Sequence, residues 1–237
     1  LLLTSVSYSS IRQKNKEALE KLTMQSLTQQ TENVDRYTKH LATQSYEFLR
    51  SSVVLDNMPP IGDYSIKDYL TLPSVIQTMK TYAVAGLEFE NETFFYCNDK
   101  HIFTRAGLND FDIYFNSLRQ RKNGDSTFWK EVLLWKDGWY TLNPDMVTYK
   151  EKNTQDSVIP LIRVRREGNR TTVLVTDLSA KKINNYFLEN LIIEGQTLLI
   201  LDGQGNTFLN TTGNIYTDKE LEALEHKALP LAALYEQ

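Results

Sequence analysis

One cysteine and three histidines are the only thiol and imidazole metal ligands in 237 residues. Cys97 is the sole cysteine of the sequence, so an intrachain disulfide and a thiolate metal centre are both excluded. It lies in the apolar run Phe94-Phe95-Tyr96-Cys97, where a thiol acts as a small buried hydrophobe. His40, His101 and His226 read as parts of a polar helix, a turn and a terminal helix, and no H-E-x-x-H pair occurs. The G-x-S-x-G elbow and the G-K-[ST] loop are missing too, which removes two common catalytic frames. No metal and no cofactor is expected.

An excess of positive charge is also lacking. Lys and Arg number 26 against 30 Asp and Glu, for a net charge of -4. Neutralising phosphates calls for a basic surface, so a nucleic-acid contact is not expected. Arg163, Arg165, Arg166 and Arg170 do cluster, but Glu167 interrupts them, and they read as a solvated hairpin face. No apolar run approaches the roughly 20 residues that cross a bilayer. The opening Leu-Leu-Leu-Thr-Ser-Val reads as a frayed terminus or as the outer end of a transmembrane helix. Because the chain begins with Leu rather than Met, it is expected to be processed or excised.

Glycine-rich 198–213 fails as a ligand loop on two counts. A dinucleotide fingerprint needs a third glycine leading into a helix, and Phe208 stands there instead. A calcium loop needs alternating carboxylates, but after Asp202 the slots hold Gln204 and Asn206. The stretch reads as strand, turn, strand.

What the sequence does contain begins with a segment, 11–50, free of proline and glycine. Leu27, Val34, Leu41 and Phe48 recur every seven positions with Tyr37 between, the pattern of a long helix with one narrow apolar stripe. Such a stripe suits contact with a twin helix or with a domain's own flank. Pro59 and Pro60 break the helix within 57–65, and a shorter one is expected over 66–82.

Three hairpins follow. One turns at Asn98-Asp99, one at Asp137-Gly138 and one at Gly168-Asn169. A further helix after Asp177 is capped by that residue or by Ser179, with Ile183, Phe187 and Leu191 on one face. Residues 94–107 and 198–213 share a layout of apolar strand, Asn/Asp turn and second strand, which suggests two copies of a small module.

Candidate chemistry is sparse. Glu88, Glu90 and Glu92 alternate and read as a solvated strand edge, with a paired-carboxylate hydrolase as the rarer alternative. The tryptophans Trp129, Trp135 and Trp139 crowd one segment. A two-residue turn at 137–138 would pair Trp135 with Tyr140 and place Trp129 on the same face, as a ligand wall or as ordinary core. The third hairpin sets Ile162, Val164, Val173 and Val175 on one face, and Asp177 ends that row. An acid there is costly unless satisfied, so it either caps the next helix or meets a cationic group on a ligand. Arg163 projects to the opposite face.

In this order of parts the chain resembles the double Cache extracytoplasmic sensor domains of Gram-positive histidine kinases and membrane-bound AraC-type regulators. The resemblance rests on 11–50, 94–107, 171–188 and 198–213. It implies an α+β fold: a stalk helix (1–56), a membrane-distal PAS-like ligand module (57–192) and the start of a truncated proximal module (193–237). It further implies a small-molecule ligand, a homodimer through the stalk, a tether to the membrane, an extracellular location and no catalysis. Asp177 matches the acid that holds a ligand amine in related receptors, and Trp129, Trp135 and Tyr140 match the aromatic wall. Tyr96 and Arg163 complete the candidate set. The ordered Tyr, Arg, Trp and Asp set of amino-acid-binding members is not evident in the sequence. A secreted carboxylate hydrolase using Glu88 or Glu131, or an adhesion module binding through its helix, is the alternative.

Overall fold

Forty-nine residues without a helix breaker form one helix, α1 (Leu2–Arg50). The computed structural model describes residues 2–57, 66–84, 89–122, 124–168, 170–189, 199–201 and 207–210. Of the heptad stripe, Leu41 and Phe48 are buried, while Leu27, Val34 and Tyr37 are partly covered by the same domain. Phe48 meets Phe95 edge-on at 5.3 Å and Tyr82 at 5.1 Å, and Tyr37 meets Phe89 at 5.0 Å. The stripe is therefore used on the domain's own flank. Arg165 donates to the Leu49 carbonyl at 2.8 Å, satisfying one of the orphan acceptors in the last turn. Ser51 then accepts from Val54 N at 3.4 Å and starts α2 (Ser52–Asn57). The Pro59-Pro60 break lies outside the described residues. As expected, α3 (Ile66–Val84) follows, with Pro73 inside it and Val75 and Met79 in the core.

Eight strands form one antiparallel sheet among the described residues. They are β1 (Glu90–Tyr96), β2 (His101–Thr104), β3 (Gly107–Asp110), β4 (Arg119–Arg121), β5 (Gly138–Thr141), β6 (Asp145–Tyr149), β7 (Thr154–Glu167) and β8 (Arg170–Ser179). The order is β3-β2-β1-β8-β7-β6-β4, with β5 also on β7. In the first hairpin Asn98 Oδ1 accepts from Lys100 N at 2.9 Å and His101 N at 3.0 Å, a side chain mimicking a backbone turn. His101 begins β2 rather than sitting in the turn. The third hairpin pairs through to Glu167↔Arg170. Pro160, in the longest strand, sits where β7 passes from β6 to β5, a gap in which the missing N–H forfeits no ladder bond to either.

No hairpin forms at Asp137-Gly138. Residues 126–132 are instead a helix, α5 (Ser126–Val132), because Asp125 caps it by accepting from Thr127 N at 2.9 Å. Gly138 opens β5, which pairs with β7. The turn between is tied to β7. Arg166 donates to the Trp135 and Leu133 carbonyls at 2.7 and 2.9 Å, and Asp137 accepts from Arg163 at 2.8 Å and Arg166 N at 3.1 Å. Arg163 and Arg166 are thus structural ties, while Arg166 and Arg170 remain exposed as expected of the hairpin face.

Between β3 and β4 the chain makes α4 (Phe111–Ile113), capped by Asp110, and a π turn over Tyr114–Leu118. After β8, α6 (Ala180–Glu189) is capped by Ser179, which accepts from Lys182 N at 3.2 Å. Ile183 and Phe187 are buried as the spacing predicts, and Leu191 lies outside the described residues. Finally β9 (Leu199–Leu201) and β10 (Thr207–Asn210) pair as a separate two-stranded sheet, the strand-turn-strand expected there. Its turn, Gly213, His226 and the remainder of 211–237 lie outside the described residues. The architecture is α+β: a long N-terminal helix lying on a PAS-like antiparallel sheet. Among the described residues no helix is long and apolar enough to cross a membrane.

Candidate ligand site

Alternation along β8 sets Val173, Val175 and Asp177 on the sheet face away from α1, beside Ile162 and Val164 of β7. All four aliphatic residues are fully buried, and so is the acid. What satisfies Asp177 is Arg119, the first residue of β4. Its Nε donates to Oδ2 at 2.8 Å, and Nη2 reaches Oδ1 at 2.8 Å and Oδ2 at 2.6 Å. Tyr149, opposite Arg119 on β6, donates to Oδ2 at 2.9 Å. Asp177 caps no helix.

Aromatic rings enclose this ion pair. The Arg119 guanidinium lies 5.0 Å over the Phe94 ring and 5.0 Å over Trp129. Trp129 stacks on Phe115 at 5.0 Å and 10°, and Tyr96 donates to the Trp129 carbonyl at 2.9 Å. Burial works against Arg119's charge, but Asp177 and the two tyrosines outweigh it and its pKa rises. Burial pushes the Tyr114 and Tyr149 hydroxyls well up, with the neighbouring acids adding to it.

Arg119 Nη1 lacks a hydrogen-bond partner among the described residues, while the Tyr114 hydroxyl meets the Glu92 carboxylate. Glu92 stands directly across from Asp177 on β1. Burial raises its pKa, and Asp177 raises it further, against the pull of Lys152, Arg119 and Tyr114. The expectation of a solvated strand edge here fails. A register irregularity between Glu90 and Glu92 breaks the alternation, turning Glu90 to the α1 face, where Arg105 and Thr93 hold it, and Glu92 to the Asp177 face. Glu88 lies outside the described residues, and Glu131 is exposed on α5.

The candidate residues from the sequence divide into three places. Asp177, Trp129 and Tyr96 converge on the buried pair. Trp135 and Tyr140 meet each other at 4.9 Å beside Phe128, whose ring touches Trp129 at 5.1 Å, so they extend the same aromatic layer outward. Arg163 is on the opposite face, with its guanidinium 5.6 Å over Tyr46 of α1. Sequence reasoning missed Arg119, Tyr149 and Tyr114, and it read Glu92 as part of a solvated edge. Tyr114, Arg119, Trp129 and Asp177 are brought together around the buried pair. A groove of about 290 Å³ also opens elsewhere, between α1 and α6, lined by Asn33, Arg36, Tyr37, His40, Phe89 and Tyr186. Among the described residues no group of His, Cys, Asp and Glu is arranged to hold a metal.

No protein-family model matches the chain, and no curated protein matches it by sequence. Among solved structures it is similar to the sensory domain of the Campylobacter jejuni chemoreceptor Tlp3 (CcmL) with isoleucine bound. The two superpose with a TM-score of 0.51 at 15% identity, over 94% of this chain and 81% of that one, so they share a fold.

Proposed function

We propose that this chain is the extracytoplasmic, non-catalytic sensing part of a transmembrane signalling receptor, with a small-molecule site in the module spanning 57–192. The observation that carries this reading is the Arg119–Asp177 pair, sealed under Phe94 and Trp129 in a fold shared with an isoleucine-binding sensory domain. A buried acid and a buried guanidinium are the two groups needed to hold an ammonium and a carboxylate. A zwitterionic ligand that enters between them gives each a new partner, so the cost of opening the pair is offset by equivalent contacts. In this reading Asp177 holds the ligand amine and Arg119 its acid group. Trp129, Tyr96, Trp135 and Tyr140 form the apolar wall. Arg163 couples the opposite face of the sheet to α1.

Ligand entry shifts β8 relative to the helix that covers it, and α1 carries the bias toward a membrane anchor and an output domain. That output is a histidine kinase or an AraC-type DNA-binding unit of a Gram-positive receptor, with the second module beginning near 193 and a twin chain paired along α1. Calorimetry and thermal shift with isoleucine and the other proteinogenic amino acids test the site. Binding by at least one of them, lost in Asp177→Asn, is the expected result. No heat and no shift from any of them would remove the reading.

A further inference from the structure

Inside the sheet two carboxylates face one guanidinium. Arg119 spends its Nε and Nη2 on Asp177 and makes no bond to Glu92, whose carboxylate meets the Tyr114 hydroxyl but no ion-pair partner among the described residues. Lys152 is near enough to favour the ionised acid, but its ammonium donates to the Asn91 carbonyl at 3.4 Å and lies 5.1 Å over Tyr149. Like charges directly across two strands repel, and Glu92 faces Asp177 in that way. The irregularity after Glu90 is what puts it there; regular alternation would send Glu92 to the α1 face. The adjoining Tyr114 hydroxyl, on a residue only 3% exposed, is a neutral donor that favours the ionised Glu92. A largely covered acid that meets a hydroxyl but forms no ion pair among the described residues is a subsite for a cationic nitrogen.

We infer that Glu92 makes this site select a ligand of net positive charge, an amino acid with a second amine, whose extra ammonium sits between Glu92 and Tyr114. The inference rests on the amino-acid reading of the Arg119–Asp177 pair. It predicts that the site discriminates by charge among side chains of equal length.

The test is calorimetry with L-ornithine and L-norvaline, which have the same carbon chain and differ by the terminal ammonium. Wild-type protein should bind ornithine more tightly by about tenfold or more, the worth of one charge-assisted hydrogen bond. Glu92→Gln should reduce that ratio to about threefold or less, and Glu92→Asp should keep part of it. Equal or tighter binding of norvaline by the wild type overturns the inference, and this comparison stands even if a variant misfolds. A ratio unaltered in folded Glu92→Gln overturns it as well. If neither these two compounds nor any proteinogenic amino acid binds the wild type, the underlying amino-acid reading falls, which is a separate result; if another amino acid binds and ornithine does not, the inference alone is overturned.

Discussion

Arg119 and Asp177 lie 58 positions apart in the chain and meet through three contacts of 2.6 to 2.8 Å, with side chains 1% and 0% exposed. Neither is on a loop: the arginine opens β4 and the acid is near the end of β8, so the sheet itself fixes their separation. With Tyr149 they form a polar island in an aromatic and aliphatic core. Such an island contributes little net stability against an apolar replacement, yet breaking it by halves is expensive. In the proposed reading a ligand exchanges this pair rather than breaking it by halves.

Asp177→Ala should therefore cost about 3–5 kcal/mol, since it deprives the buried Arg119 guanidinium of its bonded carboxylate. Replacing both, as Arg119→Met with Asp177→Leu, should recover most of that loss. Urea unfolding of the two singles and the double measures the coupling. If the two single losses simply add in the double, the pair is not the unit described here. The double variant should also lose amino-acid binding.

Glu92 gives the protein a pH signature. Burial raises its pKa above the usual 4.5. The folded state then holds the proton more tightly than the unfolded chain, so this contribution to stability is full below 4.5 and is lost as pH rises through the raised value. Glu92→Gln abolishes the dependence. Melting temperature against pH should show the variant gaining on the wild type as pH rises, with the two curves converging on the acid side. Parallel curves would mean that Glu92 is paired after all.

Much of this frame was legible in the sequence because it depends on local pattern. The heptads of α1, the Gly168-Asn169 hairpin and the cap at Ser179 all follow from spacing and turn chemistry within a few residues. Asp177 announced itself as an acid closing an apolar row. Its partner did not: β4 is three residues long, and Arg119 is placed by pairing with β6 rather than by any periodicity. Glu92 misled for a related reason, because the irregularity that turns it inward is a property of pairing with β8. The Asp137-Gly138 hairpin failed where an Asp125 cap and the Arg166 ties favoured a helix and turn over a strand. Contacts between distant segments decided each miss.

The hold of the sheet on the long helix can be probed at Arg165, whose guanidinium reaches the Leu49 carbonyl at 2.8 Å and Glu167 at 3.0 Å. A cation at a helix C-terminus that also satisfies a free carbonyl contributes about 1–2 kcal/mol. Arg165→Ala should lower stability by that amount and speed amide exchange in the last turn of α1, while Arg165→Lys restores part of it. Unchanged exchange there would show that packing of Phe48 and Leu49 alone fixes the helix end.

Farther along the helix the domain gives no support. Residues 13–22 of α1 are exposed, and Leu19, Leu22 and Met24 are 44%, 50% and 36% exposed. An extended helical stretch with leucines one turn apart gains little from its own sequence, since isolated helices are marginal in water. Pairing with a second copy would bury those leucines and stabilise the segment. Sedimentation equilibrium should show self-association that rises with concentration. Leu19→Lys with Leu22→Lys should eliminate it while changing domain stability by no more than about 0.5 kcal/mol, because neither side chain touches the sheet. A wild-type chain that remains monomeric at its highest soluble concentration, with an amide-exchange profile over 13–25 identical to that of the double variant, would show that the leucines have no partner in a twin.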